Sequence, residues 1–298
     1  MNLYIIGNGF DLNHGLKTSY HHYRNFLRQK YPFVLNEFNN FQYFTYGSCS
    51  EDELWTNLEI SLTLNYSDML SNAIENGYPD LNNDSDSRWY EIQYDLENQT
   101  QFISDFTKDC FLDWLSSIDV SMCSRRLKLN SNAIFITFNY TNTLEYVYSI
   151  NPNRILHIHG ALISYEPLMT SSIQFGSIEN NPQNAEKEME SQYSGDDFYN
   201  VSIRPGVDEI VGFCTASAKN IKQNYTIMSE FISSYQIDEV IIMGHSFLGI
   251  DAGYYNDILI PRYHDCRWTI YVHTKDDCDN AKLFISNYGI KNFTIRQW

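Results

Sequence analysis

The sequence predicts an α/β protein with a doubly wound, mostly parallel, Rossmann-like sheet and a helical insertion. Short apolar runs alternate along the chain with segments of helical periodicity, which is typical of a parallel sheet covered by helices on both faces. The run AIFITF at 133–138 is almost continuously apolar, as expected for a strand buried on both faces. Several predicted strands also lead directly into small or polar residues. In this fold, such residues at the carboxyl ends of strands are typical of a ligand-binding site.

The individual elements follow from hydrophobic periodicity and from capping residues. The predicted strands occupy 2–6, 133–138, 154–158, 238–243, 268–273 and 292–296. Thr18 or Ser19 is positioned to cap a helix that runs through Leu27, and Thr141 or Asn142 to cap one that runs through Val147. Further helices are predicted at 51–76, 88–117, 219–235, 250–258 and 277–287.

The two long helical patterns at 51–76 and 88–117 interrupt the strand signals, and a polar loop at 77–87 separates them. We therefore predict that 1–50 forms the first part of the Rossmann-like core, 51–125 a helical insertion and 126–298 the remainder of the core. Within that remainder, the segment 164–208 is polar and is predicted to be an irregular lid.

Charge and composition exclude several classes of function. The 298 residues carry 20 basic and 37 acidic side chains, a net charge of −17, which disfavours broad binding to nucleic acid or to anionic membranes. No apolar window approaches the ~18 residues that a membrane-spanning helix needs. The first residues lack the basic and apolar regions of a signal peptide, and the six cysteines include no CxxC spacing, so we expect a cytoplasmic protein.

Four polar clusters follow four predicted strands. They begin at Gly7, Asn139, His159 and Gly244. Because ligands in open parallel sheets bind outside the carboxyl ends of the strands, we expect the four clusters to form one site.

The first cluster is Gly7-Asn8-Gly9-Phe10-Asp11. Its glycines allow a close approach of backbone to phosphate, but the pattern stops short of the G-x-G-x-x-G dinucleotide fingerprint because residue 12 is Leu. A tight turn between strand and loop is the structural alternative. Asp11 is a candidate for binding a ribose hydroxyl or for capping a helix.

The second and third clusters supply candidate catalytic groups. Asn139 is placed to hold a ribose hydroxyl or a water molecule, or to form an Asx-turn. His159 lies at a strand end, where it is a candidate general base, whereas His157 is predicted to be a supporting residue in the strand. The two histidines share a strand face, but no carboxylate at ligand spacing supports a metal site.

The fourth cluster, Gly244-His245-Ser246, resembles a phosphate-cradling turn before a helix. A serine-hydrolase nucleophile elbow fits less well, because the final glycine of G-x-S-x-G is displaced to Gly249. Asp251 is expected to cap the following helix, or to hydrogen-bond to a ligand or to His245.

Several short motifs extend over nearly the whole chain. They are Gly7-Asn8-Gly9-Phe10-Asp11-Leu12, His14-Gly15-Leu16, Thr18-Ser19-Tyr20, Trp55 with Leu58-Glu59, Thr137-Phe138-Asn139-Tyr140-Thr141, His157-Ile158-His159-Gly160, and Gly244-His245-Ser246 with Asp251 and Tyr254. Together they resemble the AbiH family of bacteriophage abortive-infection proteins. Lys17 is a departure, since the opening motif of the family has proline there.

The same pattern is remotely similar to the sirtuin-like fold, in which a glycine-rich loop, an asparagine and a His-Gly pair surround NAD. Asn139 and His159-Gly160 match the last two elements in order and spacing. Thr141 stands where an aspartate usually follows the asparagine, and the zinc-binding cysteine quartet of the deacetylases is missing. The resemblance implies a defence protein that cleaves NAD and starves the infected cell.

The resemblance also implies roles for particular residues. Asn139 and His159 would be catalytic. The residues expected to contact NAD are Gly7, Asn8, Gly9, Phe10, Asp11, Thr137, Tyr140, Gly160, Gly244, His245, Ser246 and Asp251. NAD would be the substrate, with no metal.

Two other functions compete with NAD hydrolysis. One is a nucleotide-binding sensor or assembly subunit without catalysis, which the missing aspartate favours. The other is a metal-dependent nuclease, against which the net charge and the lack of D-x-D or H-x-x-H patterns argue. The expected partners are NAD or a related nucleotide, a phage-derived trigger and a second copy of the chain that uses the aromatic helices at 51–117.

Overall fold

The computed structural model describes residues 1–42, 50–80, 87–162, 173–196, 198–247 and 251–298. The described chain divides into two compact units. The first unit comprises Met1–His22, Trp114–Gln174 and Asn220–Trp298, and the second comprises Tyr23–Asp113 and Phe175–Lys219. The predicted insertion at 51–125 overlaps the second unit, which begins earlier in the chain and takes in a later segment as well.

The first unit contains a six-stranded parallel sheet. Its strands are β1 (Asn2–Ile6), β2 (Ile134–Thr137), β3 (Ile155–His157), β4 (Glu239–Met243), β5 (Arg267–Val272) and β6 (Phe293–Gln297). Their order across the sheet is β3-β2-β1-β4-β5-β6, and every neighbouring pair is parallel. The predicted α/β, Rossmann-like fold class is therefore confirmed. The strand order reverses between β1 and β4, and such a switch point opens a crevice for ligands.

Successive side chains of the central strands enter two separate apolar cores. In β1, Leu3 and Ile5 pack on one face of the sheet, whereas Tyr4 and Ile6 pack on the other. Strand β4 alternates in the same way. Because side chains alternate between the faces of a strand, only a run that is apolar throughout can fill both cores.

Helices cover both faces of this sheet. They are α1 (Asn8–Asn13), α9 (Thr143–Tyr148), α12 (Ile221–Ser233), α13 (Ala252–Tyr254), α14 (Ile260–Tyr263) and α15 (Lys275–Tyr288), with a π-helical turn at Tyr255–Leu259. Helix α15 has a complete capping box between Thr274 and Asp277, and it ends at Gly289 in the left-handed conformation. Helix α1 starts immediately after Gly7, so the first glycine cluster leads directly into a helix.

The second unit is helical. It contains most of α2 (Tyr20–Lys30) and of α8 (Cys110–Ser116), together with α3 (Pro32–Phe41), α4 (Glu51–Thr56), α5 (Tyr66–Gly77), α6 (Glu91–Thr100), α7 (Phe102–Ser104), α10 (Pro182–Tyr193) and α11 (Arg204–Ala216). Aromatic rings form its core, with Phe38 stacked on Phe106 at 4.5 Å and Phe111 on Phe175 at 4.0 Å. Of the ten aromatic residues in the predicted insertion, five are buried, whereas Tyr90 and Tyr94 are exposed.

Helix α10 lies within the segment 164–208, which the polar composition had predicted to be irregular. Asn181 caps it by accepting the N–H groups of Gln183 and Asn184, and Pro182 occupies its first turn. Ala185 and Met189, one helical turn apart, are its buried residues. A narrow apolar stripe of two residues is therefore enough for this helix, and so short a stripe gives little periodic signal.

Parts of three predictions lie outside the described residues: 81–86 of the polar loop, 164–172 and 197 of the lid, and the start of the helix predicted at 250. Among the described helices, none is both long and apolar enough to cross a membrane.

Candidate functional site

The loops after β1 and β4 touch each other through glycines. Gly9 N–H donates to the Gly244 carbonyl at 2.9 Å, and Gly7 N–H donates to the Met243 carbonyl at 2.9 Å. A Cβ on Gly7 would lie 2.5 Å from the Gly244 oxygen, and one on Gly9 would lie 2.8 Å from Gly244 Cα. Gly244 has a φ of +68°, and a Cβ there would collide with the nitrogen of Phe10. The three glycines thus allow two backbones to meet, and the Gly9 N–H is engaged within the protein.

Asp11 lies inside α1 and is almost completely buried. Its Oδ2 accepts the Thr141 hydroxyl at 2.5 Å, and its Oδ1 accepts the Thr143 hydroxyl at 2.9 Å. Burial raises the pKa of Asp11 to about 6, although hydrogen bonds from Thr141, Thr143 and Asn139 oppose the rise. The carboxylate therefore ties α1 to the start of α9.

Asn139 follows β2 and is held by its backbone and its side chain. Its Nδ2 donates to the Gly7 carbonyl at 3.1 Å, and its N–H donates to Thr137 Oγ1 at 3.1 Å. Among the described residues, no donor reaches its buried Oδ1. The amide is thus fixed with one acceptor atom to spare, which suits a water molecule or a ligand hydroxyl.

His157, in β3, supports Asn139 from behind. Its Nδ1 donates to the Asn139 carbonyl at 3.1 Å, and its Nε2 lies 2.7 Å from Oε1 of Glu145 in α9. Both ring nitrogens are thereby occupied within the protein. His157 therefore positions Asn139.

A carboxylate between two histidines forms the centre of the site. Oδ1 of Asp251 lies 3.2 Å from Nε2 of His159, and Oδ2 lies 3.6 Å from Nε2 of His245. The histidine side chains are each 3 % exposed and that of Asp251 is 22 % exposed. Nδ1 of His245 accepts the Phe247 N–H at 3.2 Å, so a neutral ring carries its proton on Nε2, toward Asp251. Within the described ranges, no three histidine, cysteine or acidic side chains are grouped so as to hold a metal ion.

Aromatic rings enclose this His159–Asp251–His245 cluster. The Phe138 ring lies 4.5 Å from that of His245 and 5.5 Å from that of His159. Tyr254 packs edge-on against Phe138 at 5.2 Å and against His159 at 6.0 Å. Because these rings reduce the access of water, charge interactions inside the cluster are stronger than at the surface.

Gln174 and Asn224 connect the aromatic wall to His159. Their side-chain amides exchange two hydrogen bonds, of 3.1 and 2.9 Å, and Asn224 Nδ2 also donates to the Tyr254 hydroxyl at 3.1 Å. The Gln174 N–H donates to the His159 carbonyl at 2.9 Å, and its carbonyl accepts the Tyr140 hydroxyl at 2.8 Å. This network fixes both the backbone at His159 and the ring beside it.

A cavity of about 450 Å³ lies at the carboxyl ends of β1, β4 and β5. Its lining includes His245, Ser246, Asn13, Arg126 and His273. The volume falls within the range of about 300–1,000 Å³ that small-ligand sites occupy. His245 belongs both to the cavity wall and to the histidine–aspartate cluster, so the two features adjoin at the switch point of the sheet.

The family model described as bacteriophage abortive infection AbiH matches residues 3–272 of the 298. The chain belongs to the AbiH family. The resemblance of the motifs to this family is thereby confirmed, and the family name indicates a role in abortive infection by phage. No curated protein and no solved structure is significantly similar to the chain.

The AbiH structure brings several of the predicted site residues together. His159, His245 and Asp251 form one cluster, and Asn139 binds the backbone of Gly7. A Cβ on Gly7 would lie 2.7 Å from His245 Cα, so the Asn139 amide and the cluster are joined through one loop contact.

Other predicted residues of the AbiH chain lie apart from this cluster. Asn8 is exposed, and Phe10 is completely buried in the apolar core. The Thr137 hydroxyl accepts the Asn139 N–H, and Gly160 adopts a φ of +82° after β3. Ser246 is exposed at the edge of the cavity.

Sequence reasoning missed four residues that the structure places at the site. Glu145 pairs with His157, Gln174 and Asn224 form the amide pair, and Arg126 lines the cavity. None of them stands in a motif or directly after a strand, so no local signal marks them. Chain topology alone brings them to this edge of the sheet.

Proposed function

We propose that this AbiH protein hydrolyses NAD at the bond between nicotinamide and ribose during phage infection. The carrying observation is the His159–Asp251–His245 cluster, which adjoins a cavity at the switch point of a Rossmann-like sheet. Dinucleotides bind at this place in doubly wound folds. A cluster of groups that can accept and donate protons, buried beside such a cavity, is suited to hydrolysis.

Asp251 would orient the histidines. Its carboxylate accepts Nε2–H of His159, which leaves the lone pair of a neutral ring on Nδ1. Nδ1 would then receive the proton of a water molecule or a ribose hydroxyl. The carboxylate also stabilises the imidazolium that this transfer creates.

The reaction needs little acid catalysis. The bond between C1′ and the pyridinium nitrogen breaks, and its electron pair goes to nicotinamide, which leaves uncharged. The water oxygen then bonds to C1′ of the oxocarbenium-like ribose, and the released proton goes to His159. The enzyme therefore has to position the water and stabilise positive charge, as in other glycosidic hydrolyses.

Asn139 would orient the water or a ribose hydroxyl. Its Nδ2 is fixed by the Gly7 carbonyl, and its Oδ1 has no donor among the described residues. A fixed acceptor of this kind holds an O–H group in one orientation without adding charge to the site.

The alternative function is a nucleotide-binding sensor without catalysis. The engagement of both Asp11 oxygens by threonine hydroxyls favours it, because this carboxylate is then not offered to a ribose. A phage-derived trigger and self-association of the chain are compatible with both functions.

The test is to incubate purified protein with NAD and to quantify free nicotinamide by chromatography. We expect Asp251→Asn, His159→Ala and Asn139→Ala each to lower turnover by about 10²-fold or more, the usual scale for one acid–base or orienting group. His264→Ala is the matched control, because His264 also pairs with an aspartate but is 41 % exposed in its side chain.

The same variants are compared in infected cells, because a trigger is expected. NAD should fall on infection in cells that carry the natural protein and stay constant in cells that carry Asp251→Asn. Protection from phage at constant NAD would contradict hydrolysis. In that case, tight NAD binding without nicotinamide release would support the sensor, and magnesium-dependent cleavage of DNA or RNA would support the nuclease.

A further inference from the structure

The N–H groups of Gly7 and Gly9 are engaged within the protein and are not available to a phosphate group. The Gly9 N–H already donates to Gly244, and helix α1 has only six residues. A dinucleotide carries two negative charges on its pyrophosphate, and the chain itself carries a net charge of −17. An anionic ligand therefore needs a local positive group.

Arg126 supplies a positive group at the cavity. Its backbone N–H donates to the Tyr148 hydroxyl, and Arg126 is one of the residues that line the cavity. Among the described residues that line the cavity, Arg126 is the arginine. The Arg126 guanidinium is thus the arginine that a ligand in the cavity would meet.

Aromatic groups complete the wall of the cavity. Tyr271 and Trp298 both line it, and their rings lie 6.1 Å apart. Among the described residues, no acceptor reaches the buried indole Nε1–H of Trp298. A ligand with a flat ring, hydrogen-bond acceptors and a phosphate group would match this set of side chains.

We propose that the cavity binds the ADP portion of a dinucleotide, with the Arg126 guanidinium on the pyrophosphate and the base near Trp298. This rests on the proposed function, since it places the nicotinamide end toward His245, the residue shared by cavity and cluster. A guanidinium forms two parallel hydrogen bonds to phosphate oxygens, which gives both affinity and orientation.

The test measures ADP and adenosine binding by titration calorimetry. Arg126→Gln should weaken ADP binding by about 10- to 100-fold, the scale of a lost charge-assisted contact, and leave adenosine binding unchanged. Arg125→Gln is the matched control, because the guanidinium of Arg125 donates to the Val147 carbonyl and to Ser149 Oγ. Arg126→Lys keeps the charge but loses the planar guanidinium, so its affinity for ADP should lie between those of the natural protein and Arg126→Gln.

The proposal is overturned if the natural protein does not bind ADP or if Arg126→Gln binds ADP as tightly as the natural protein does. It is also overturned if Arg125→Gln loses as much affinity for ADP as Arg126→Gln. An equal loss of adenosine binding in Arg126→Gln would also overturn it, because the side chain would then act on the fold. A different result would contradict the proposed function. ADP binding that depends on Arg126, without release of nicotinamide from NAD, would contradict hydrolysis and leave this subsite in place.

Discussion

Asp11 illustrates how a single buried charge is maintained at the residue scale. Desolvation disfavours its carboxylate, and the hydroxyls of Thr141 and Thr143 recover part of that cost. A pKa raised from 3.8 to about 6 corresponds to about 3 kcal/mol of folding free energy. The residue is thus a source of pH dependence that the motif alone does not reveal.

We expect Asp11→Asn to remove one component of the pH dependence of stability. The folded protein binds this proton more tightly than the unfolded chain, so its contribution to stability is complete below pH 3.8 and is lost as the pH rises through about 6. Urea unfolding between pH 4 and 7 should show a decline in the free energy of unfolding of the natural protein that exceeds that of Asp11→Asn by about 2 kcal/mol.

Asp276→Asn is the control for this measurement, because Asp276 is exposed in the first turn of α15. The free energy of unfolding of Asp276→Asn should decline between pH 4 and 7 as much as that of the natural protein. Parallel pH profiles for Asp11→Asn and the natural protein would show that burial does not raise the pKa of Asp11.

At the element scale, the contact between the loops after β1 and β4 depends on residues without Cβ atoms. Gly7, Gly9 and Gly244 meet with their backbones, and this contact places His245 beside the loop that Asn139 binds. The G-x-G pattern predicts a phosphate cradle or a tight turn, and the structure shows that its glycines also allow the two loops to pack. Packing between loops and binding of phosphate both require close backbone approach, so sequence alone does not separate them.

Gly244→Ala should destabilise the fold by at least about 2 kcal/mol more than Gly289→Ala. Both glycines have positive φ, of +68° and +63°, but a Cβ on Gly289 would meet no atom within 4 Å. The difference between the free energies of unfolding of the two variants therefore measures the steric cost of a Cβ atom at the contact between the loops. Equal stability losses would mean that the loops separate without cost.

At the scale of the whole molecule, the net charge of −17 opposes folding through self-repulsion. Raising NaCl from about 10 to 100 mM shortens the Debye length from about 30 to 10 Å and screens that repulsion. For a chain of this size, relief of about 1 kcal/mol raises Tm by about 2–4 °C, so we expect a rise of that order at pH 7.

The same salt series at pH 5 is the control, because the sequence pI is about 4.7 and the net charge there is small. The rise in Tm should then largely disappear. A fall in Tm with salt at pH 7 would show that attractive ion pairs, such as those of Arg204 with Glu186 and Asp208, dominate the electrostatics.

The prediction from sequence was strongest for the sheet and weakest for what lies between the strands. Strands such as Glu239–Met243 are apolar over their whole length, and this signal is local. The capping residue of α10, Asn181, is an equally local signal. The apolar stripe of α10 has only two buried residues among polar ones, so the periodicity does not predict the helix. Of the site, the sequence predicted that Asp251 binds His245 or a ligand, and the structure adds His159 as its nearer partner.

The sequence by itself determined the fold class, the family and the sheet edge at which polar clusters gather. Each of these depends on short motifs or on the periodicity of neighbouring residues, and both are properties of the linear chain. Only the tertiary structure decided that one carboxylate lies between His159 and His245, that Gln174 pairs with Asn224, and that Arg126 lines the cavity. The contacts of His159 with Asp251 and of Gln174 with Asn224 join residues that are 92 and 50 positions apart, and such contacts are set by how the helices pack on the sheet.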